Sequence, residues 1–187
     1  VNQFKKDRLN EAPYFIFIGA LNPRKNLQRI FPAFDRLDSD HKLLVVGEKM
    51  HWDLEIEAAF DKMERKDQVI FSGRLEKQML NLLLAGADGL IFPSLFEGFG
   101  IPIIEAFNAG TAVITSDITS MPEIAEDAAL LVNPQNTNSI YNAIHSLAHD
   151  VELRENLVQK GYAQAKKFSW DASAEKLWNI MLKTIES

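Results

Sequence analysis

No cysteine occurs anywhere in the 187 residues. That excludes disulfides and thiolate metal sites and fits a reducing compartment, so a cytoplasmic location is expected. A basic excess is also missing, because 20 Lys and Arg stand against 26 Asp and Glu for a formal net charge of -6. Nucleic-acid binding relies on a basic face, and no nucleic-acid partner is expected. No apolar run approaches the roughly 20 residues that a spanning helix needs, and no leader-like stretch is present. Internal repeats and low-complexity tracts are absent as well. The first glycine loop carries neither G-x-G-x-x-G nor the Walker pattern, which disfavours a dinucleotide site of the oxidoreductase type.

What is present is ordinary globular material, with 47% hydrophobic and 25% charged residues over a length suited to one domain. The most informative stretch is Pro93-Ser94-Leu95-Phe96-Glu97-Gly98-Phe99-Gly100-Ile101-Pro102-Ile103-Ile104-Glu105. Gly98 and Gly100 let backbone approach a ligand without an intervening Cβ, and Pro102 suits the start of a helix. The free amides of Phe99, Gly100 and Ile101 then form an anion site, to which the helix dipole adds about 0.3–1 kcal/mol. Glu97 before the helix and Glu105 one turn into it can reach hydroxyls on either side of a phosphate. A capping box does not explain Glu105, since the residue three earlier is Pro102 rather than Ser, Thr, Asp or Asn.

Residues 1–12 are polar and read as the tail of an interdomain linker, with the ordered domain at 13–187. Short apolar runs at 14–18, 42–46, 69–71, 89–92, 112–115 and 129–132 read as strands. Helical patterns fall at 27–37, 54–63, 77–85, 102–108, 138–149, 151–168 and 170–185. Near-continuous apolar strands alternating with helices predict an α/β fold, a Rossmann-like parallel sheet of about six strands covered on both faces. Ligands bind at the carboxyl ends of such strands, where the loops at 19–26, 47, 73, 93–100 and 116 gather. Lys25 and Arg24 are the cations of that edge. In the last helix Leu177, Ile180, Met181 and Ile185 recur at helical spacing, with Trp170 near its start and Ser169 as its cap.

Glu97 and Glu105, separated by seven residues and preceded by Pro93-Ser94, resemble the signature of retaining glycosyltransferases of family 4, which have the two-domain GT-B fold. The run Ile18-Gly19-Ala20-Leu21-Asn22-Pro23-Arg24-Lys25-Asn26 is similar to that family's phosphate loop. Phe71-Ser72-Gly73-Arg74-Leu75 resembles its loop near the nucleotide base. Ala109-Gly110-Thr111-Ala112-Val113-Ile114-Thr115-Ser116 and Met121-Pro122-Glu123-Ile124-Ala125 match its closing run. The resemblance implies the carboxyl-terminal, donor-binding half of such an enzyme, with the terminal helix at 170–187 crossing to an absent amino-terminal domain that holds the acceptor. Part of this helix is then expected to pack on the same sheet, with some of Trp170, Trp178 and Met181 exposed.

By the same resemblance Lys25 stabilises the diphosphate leaving group, with Arg24 standing in for an arginine that the family often has where Ala20 lies. Glu97 binds the donor sugar and Glu105 the ribose, while Gly19, Gly73, Arg74, Leu75, Gly98, Phe99, Gly100 and Ile101 line the nucleotide-sugar. No metal or other cofactor is implied, and no protein nucleophile is required. The Pro-Arg-Lys-Asn loop resembles mannosyltransferases of surface-polysaccharide assembly, pointing to GDP-mannose as donor and to a sugar, glycan or lipid-linked acceptor. Peripheral membrane association of the full-length enzyme and little transfer by this half alone are further expectations. A non-catalytic nucleotide-binding domain and a glycoside hydrolase remain the alternatives.

Three patterns read as structure only. Asp38-Ser39-Asp40 spells D-x-D but lies in a turn at the edge opposite the cleft. His145 and His149 share a helix face without a third ligand, and Glu55 and Glu57 point to different sides of a helix.

Overall fold

The computed structural model describes residues 2–185. Val1, residues 186–187 and the Ile185 side chain, parts of the expected linker and terminal helix, lie outside the described residues. The chain opens with α1 (Asn2–Phe4), which continues as a wider helical turn over Lys5–Leu9. Then follow β1 (Tyr14–Ile18), α2 (Leu27–Asp35), β2 (Lys42–Val46), α3 (Leu54–Asp61), β3 (Val69–Gly73), α4 (Lys77–Ala85) and β4 (Gly89–Phe92). The second half runs α5 (Ile101–Ala109), β5 (Val113–Ser116), α6 (Met121–Ala125), β6 (Leu130–Val132), α7 (Thr137–His149), α8 (Val151–Ala165) and α9 (Trp170–Ile185). The strands form one six-stranded sheet in the order β3-β2-β1-β4-β5-β6, and every pairing is parallel.

Strands β1 and β2 are buried along their whole length, because alternate side chains feed cores on opposite faces. Phe15, Phe17, Leu43 and Val45 pack with Ile30, Phe31 and Phe34 of α2, Ile56 of α3 and Ile144 of α7. Tyr14, Ile16, Ile18, Leu44 and Val46 pack with Leu83 and Leu84 of α4, Ile103 and Phe107 of α5 and Ile124 of α6. Each large side chain so buried contributes about 1.5–3 kcal/mol. The sheet order makes β1 and β4 neighbours, so the chain crosses to the other side of β1 between β3 and β4. A crevice at the carboxyl ends of β1 and β4 is the geometric result.

Two segments differ from the sequence expectations. The stretch 2–9, read as a linker tail, is helical and docked rather than free: Leu9 is fully buried, Phe4 packs against the second core and Arg8 donates to the Phe71 carbonyl at 3.1 Å. Residues 121–125, read only as a motif, form the one-turn helix α6. At the far end, α9 is exposed along its described side chains, with Trp170, Trp178 and Met181 at 84%, 60% and 48% exposure. Its cap is Ser169, whose hydroxyl accepts from the Ala172 amide at 3.3 Å.

The edge opposite the crevice holds the Asp38-Ser39-Asp40 turn. Arg65 donates to the carbonyls of Leu37 and Ser39, which fixes the Asp38-Ser39-Asp40 turn. His41 is held between the Ser39 hydroxyl at 3.0 Å and Asp88 at 3.1 Å, and it stacks on Phe15. His145 and His149 lie with ring centroids 4.5 Å apart on α7. Among the described residues no group of three or more His, Cys, Asp or Glu is gathered as a metal site.

Candidate nucleotide-sugar site

The loop after β1 bends as Gly19 (φ +150) gives way to a single turn over Pro23–Lys25, capped by Asn22, whose side-chain oxygen accepts from the Lys25 amide at 3.3 Å. That turn aims Lys25 inward. A Cβ on Gly19 would lie 3.0 Å from the Lys25 Cε, so the glycine supplies the space in which the lysine stem rests. Asn26 then takes a left-handed conformation (φ +68) and is fully buried. Its amide group donates to the carbonyls of Pro93 at 2.9 Å and Pro134 at 2.7 Å, and its oxygen accepts from Arg29 at 3.0 Å. Asn26 therefore ties together the loops that follow β1, β4 and β6. The sequence reading included it only as the end of a motif.

Across the crevice, the loop after β4 carries Glu97. The Lys25 Nζ lies 2.7 Å from the Glu97 Oε1, and the Arg24 Nη1 lies 2.9 Å from the same oxygen. Arg24 also donates to the Phe96 carbonyl at 2.7 Å and accepts from the Leu95 amide at 2.8 Å through its own carbonyl. Ser120, after β5, donates to the Glu97 carbonyl at 3.0 Å. The Lys25 and Glu97 side chains are only 9% and 11% exposed, whereas Arg24 is 44% exposed. Lys25 also rests over the Phe92 ring at 4.2 Å.

Burial is the largest influence on Lys25 and lowers its pKa, against the opposing pull of the Glu97 carboxylate. For Glu97, burial alone would raise the pKa, but hydrogen bonding and charge from Lys25, with smaller help from Ser94 and Arg24, bring the net value below the usual carboxylate range. The carboxylate is thus firmly ionised, and the ammonium beside it is held in a partly desolvated pocket.

The helix that starts beyond this loop has the expected open end. Gly100 precedes α5 with φ +97, and the first turn closes with the Ile103 amide on the Gly100 carbonyl at 2.9 Å. Among the described residues, the amides of 98–101 have no loop or turn carbonyl as acceptor. Gly98, Phe99 and Ile101 are exposed and Gly100 is buried. Nothing lies within 4 Å of a Cβ built on Gly98 or on Gly73. Gly98 also lacks the positive φ that would require a glycine, so the fold itself leaves this position unconstrained.

Glu105 is half-buried and lines a groove of about 820 Å³ with Phe99 and Ile101, against Lys77 and Asn81 of α4 and Trp170 of α9. The structure thus brings Arg24, Lys25 and Glu97 into direct contact at one end of α5, and Glu105 lies along the side of that helix. Gly73 closes the same edge of the sheet, its carbonyl accepting from the Gly47 amide at 3.0 Å. Arg74 is exposed and Leu75 packs on the second core, and neither joins the ion-pair cluster or lines the groove.

The sequence model of the glycosyl transferases group 1 family matches residues 1–164. The chain belongs to that family. It is 32% identical over 171 residues to O-antigen chain mannosyltransferase B of Escherichia coli, covering 89% of this chain and 45% of the relative. With O-antigen chain mannosyltransferase RfbU of Salmonella typhimurium the identity is 33% over 143 residues, or 76% of this chain and 40% of the relative. Sucrose-phosphate synthase from Thermosynechococcus elongatus superposes with a TM-score of 0.84 at 25% identity, over 98% of this chain and 49% of that one. The glycosyl transferases group 1 chain therefore spans less than half the length of each of these three proteins, and its sheet has the GT-B type of Rossmann-like fold.

Proposed function

We propose that the chain binds a nucleotide-sugar and that, together with a complementary domain, it transfers the sugar to an acceptor. The observation that carries this is the Lys25–Glu97 pair at the crevice between β1 and β4, beside the unpaired amides that open α5. Lys25, aided by Arg24, takes the diphosphate. An ammonium fixed there meets charge that grows as the glycosidic bond breaks, so it lowers the transition state more than the ground state. Glu97 accepts from hydroxyls of the sugar and Glu105 from the ribose, which orients the donor. Gly19, Gly73, Arg74, Leu75 and residues 98–101 complete the donor-binding surface.

The donor is GDP-mannose, in keeping with the mannosyltransferase names of the relatives at 32% and 33% identity. Transfer proceeds with retention, the leaving diphosphate taking the acceptor's proton, and uses neither a metal nor a covalent protein intermediate. The acceptor is a sugar, glycan or lipid-linked sugar of polysaccharide or glycolipid synthesis, and the full-length enzyme works in the cytoplasm with peripheral membrane contact. The exposed apolar side chains of α9 and the docked segment 2–12 face the complementary domain, and the 187-residue chain alone binds donor but transfers little.

Calorimetry with GDP, UDP, ADP and GDP-mannose tests this. GDP and its mannose conjugate are expected to bind with the highest affinity, and the same affinity for all three diphosphates would remove the case for a GDP donor. Binding of none of them would end the proposed function altogether. A second measurement uses Gly98→Ala. Since the fold leaves this position open, the melting temperature should be unchanged or slightly raised, by the equivalent of roughly 0.4–1 kcal/mol. Diphosphate affinity should fall several-fold because a methyl group now stands before the α5 amides. Loss of stability without loss of affinity would mean that Gly98 serves the fold instead.

A further inference from the structure

Ser94 is fully buried, and its hydroxyl has no hydrogen-bond partner at good geometry, although it lies near enough to Glu97 to help lower that carboxyl's pKa. Orphaned buried hydroxyls are uncommon enough to call for a cause. The residue is not loose, because its amide donates to the Phe92 carbonyl at 2.9 Å and its carbonyl accepts from the Ser116 hydroxyl at 2.5 Å. Two backbone anchors therefore hold this side chain three residues before Glu97, on the same loop. At Glu97 itself both cations, Lys25 and Arg24, share Oε1. Among the described residues no hydrogen bond of good geometry reaches Oε2.

We propose that Ser94 is a positioning residue for Glu97: its hydroxyl donates to the carboxylate when Lys25 and Arg24 turn to a bound diphosphate, and so keeps the carboxylate aimed at the donor sugar. This rests on the donor-site function proposed above. Without such a donor, a carboxylate released by its two cations would be largely buried and free to rotate, at a cost in both desolvation and orientation. The groups facing Glu97 are Lys25 and Arg24 from the loop after β1, Ser94 from its own loop, and Ser120, which holds its main chain. Of these, Ser94 is the uncharged side chain able to reach the carboxylate without competing for the phosphate, and it already helps to keep Glu97 ionised.

The test uses the 187-residue chain with Ser94→Ala and Ser94→Thr. Carbon-detected NMR titration of the Glu97 carboxyl, which needs no ligand, should move to higher pH in Ser94→Ala and return toward the parent in Ser94→Thr. The unfolding temperature should change little in Ser94→Ala, since the hydroxyl lost there has no hydrogen-bond partner at good geometry. Calorimetry should show GDP affinity changed less than two-fold while the extra affinity of GDP-mannose over GDP drops about ten-fold. An unmoved Glu97 titration in Ser94→Ala would overturn the assignment, and so would an equal loss for GDP and GDP-mannose. If the parent chain binds neither ligand, the donor-site function fails, and with it the liganded half of this proposal, while the titration still decides whether Ser94 acts on Glu97.

Discussion

Lys25→Ala is expected to weaken GDP binding by about 1.5–3 kcal/mol, the range of a hydrogen bond to a charged group, which is roughly ten- to 150-fold. Glu97→Gln is expected to act in the opposite direction on GDP. In the structure the ammonium that would meet the diphosphate is already bonded to Glu97 at 2.7 Å, so a ligand must compete with an internal carboxylate. Removing that negative charge frees Lys25 and Arg24 and lifts the repulsion between carboxylate and phosphate. GDP should therefore bind Glu97→Gln at least as well as it binds the parent, whereas the added affinity of GDP-mannose should disappear. The two single variants and the double variant form a cycle whose coupling term reports the pair directly. Additive effects would mean that Lys25 and Glu97 do not share the diphosphate site, and weaker GDP binding in Glu97→Gln would mean that the carboxylate organises Lys25 more than it competes with the phosphate. Both variants must be checked for folding, because each leaves a partly buried charge with fewer partners.

The competition between Lys25 and Glu97 was not legible in the sequence. The two residues are 72 positions apart, and the family resemblance assigned them to different parts of one ligand, the diphosphate and the sugar. What spacing could supply was the edge of the sheet, since the loops at 19, 47, 73 and 93 follow apolar runs ended by a glycine or proline. The contact itself depends on strand order, which makes β1 and β4 neighbours although two strands separate them in the chain. The strands were readable for a simple reason: two-sided burial leaves almost no polar residue inside them, as in Tyr14–Ile18 and Lys42–Val46. Segment 2–9 was not readable, because the apolar part of its docking rests on Phe4 and Leu9 within a charged stretch, and two apolar residues five apart make no recognisable helical stripe. Asn26 escaped notice because an asparagine in a polar loop looks like a turn residue until its partners, the Pro93 and Pro134 carbonyls, are brought within reach.

Gly47→Ala is expected to be the most damaging single methyl group in the molecule. A Cβ at this position would lie 1.9 Å from the Gly19 carbonyl oxygen and 2.8 Å from its carbon, and φ is +148. The obstacle is backbone, so no side chain can swing away, and the conformation itself is strained for any residue bearing a Cβ. Overpacking and strain together give about 3–5 kcal/mol of destabilisation, and for a domain of this size each kcal/mol lowers the melting temperature by roughly 2–4 °C. The damage should centre on the donor site. Around Gly47 the ends of β1, β2 and β3 are laced together by the Gly19 amide on Val46, the Gly47 amide on Gly73 and the Leu21 amide on Glu48, at 3.0, 3.0 and 2.9 Å. If the Gly19 loop moves to make room, Lys25 moves with it, because its stem rests against Gly19. Denaturant unfolding should therefore show a large drop in midpoint, and whatever fraction stays folded should bind GDP poorly. Gly98→Ala is the matched control, with the same added methyl group on the same edge of the sheet and no neighbour within 4 Å. Equal stability of the two alanine variants would mean that the loops after β1 and β2 do not meet as the structure has them.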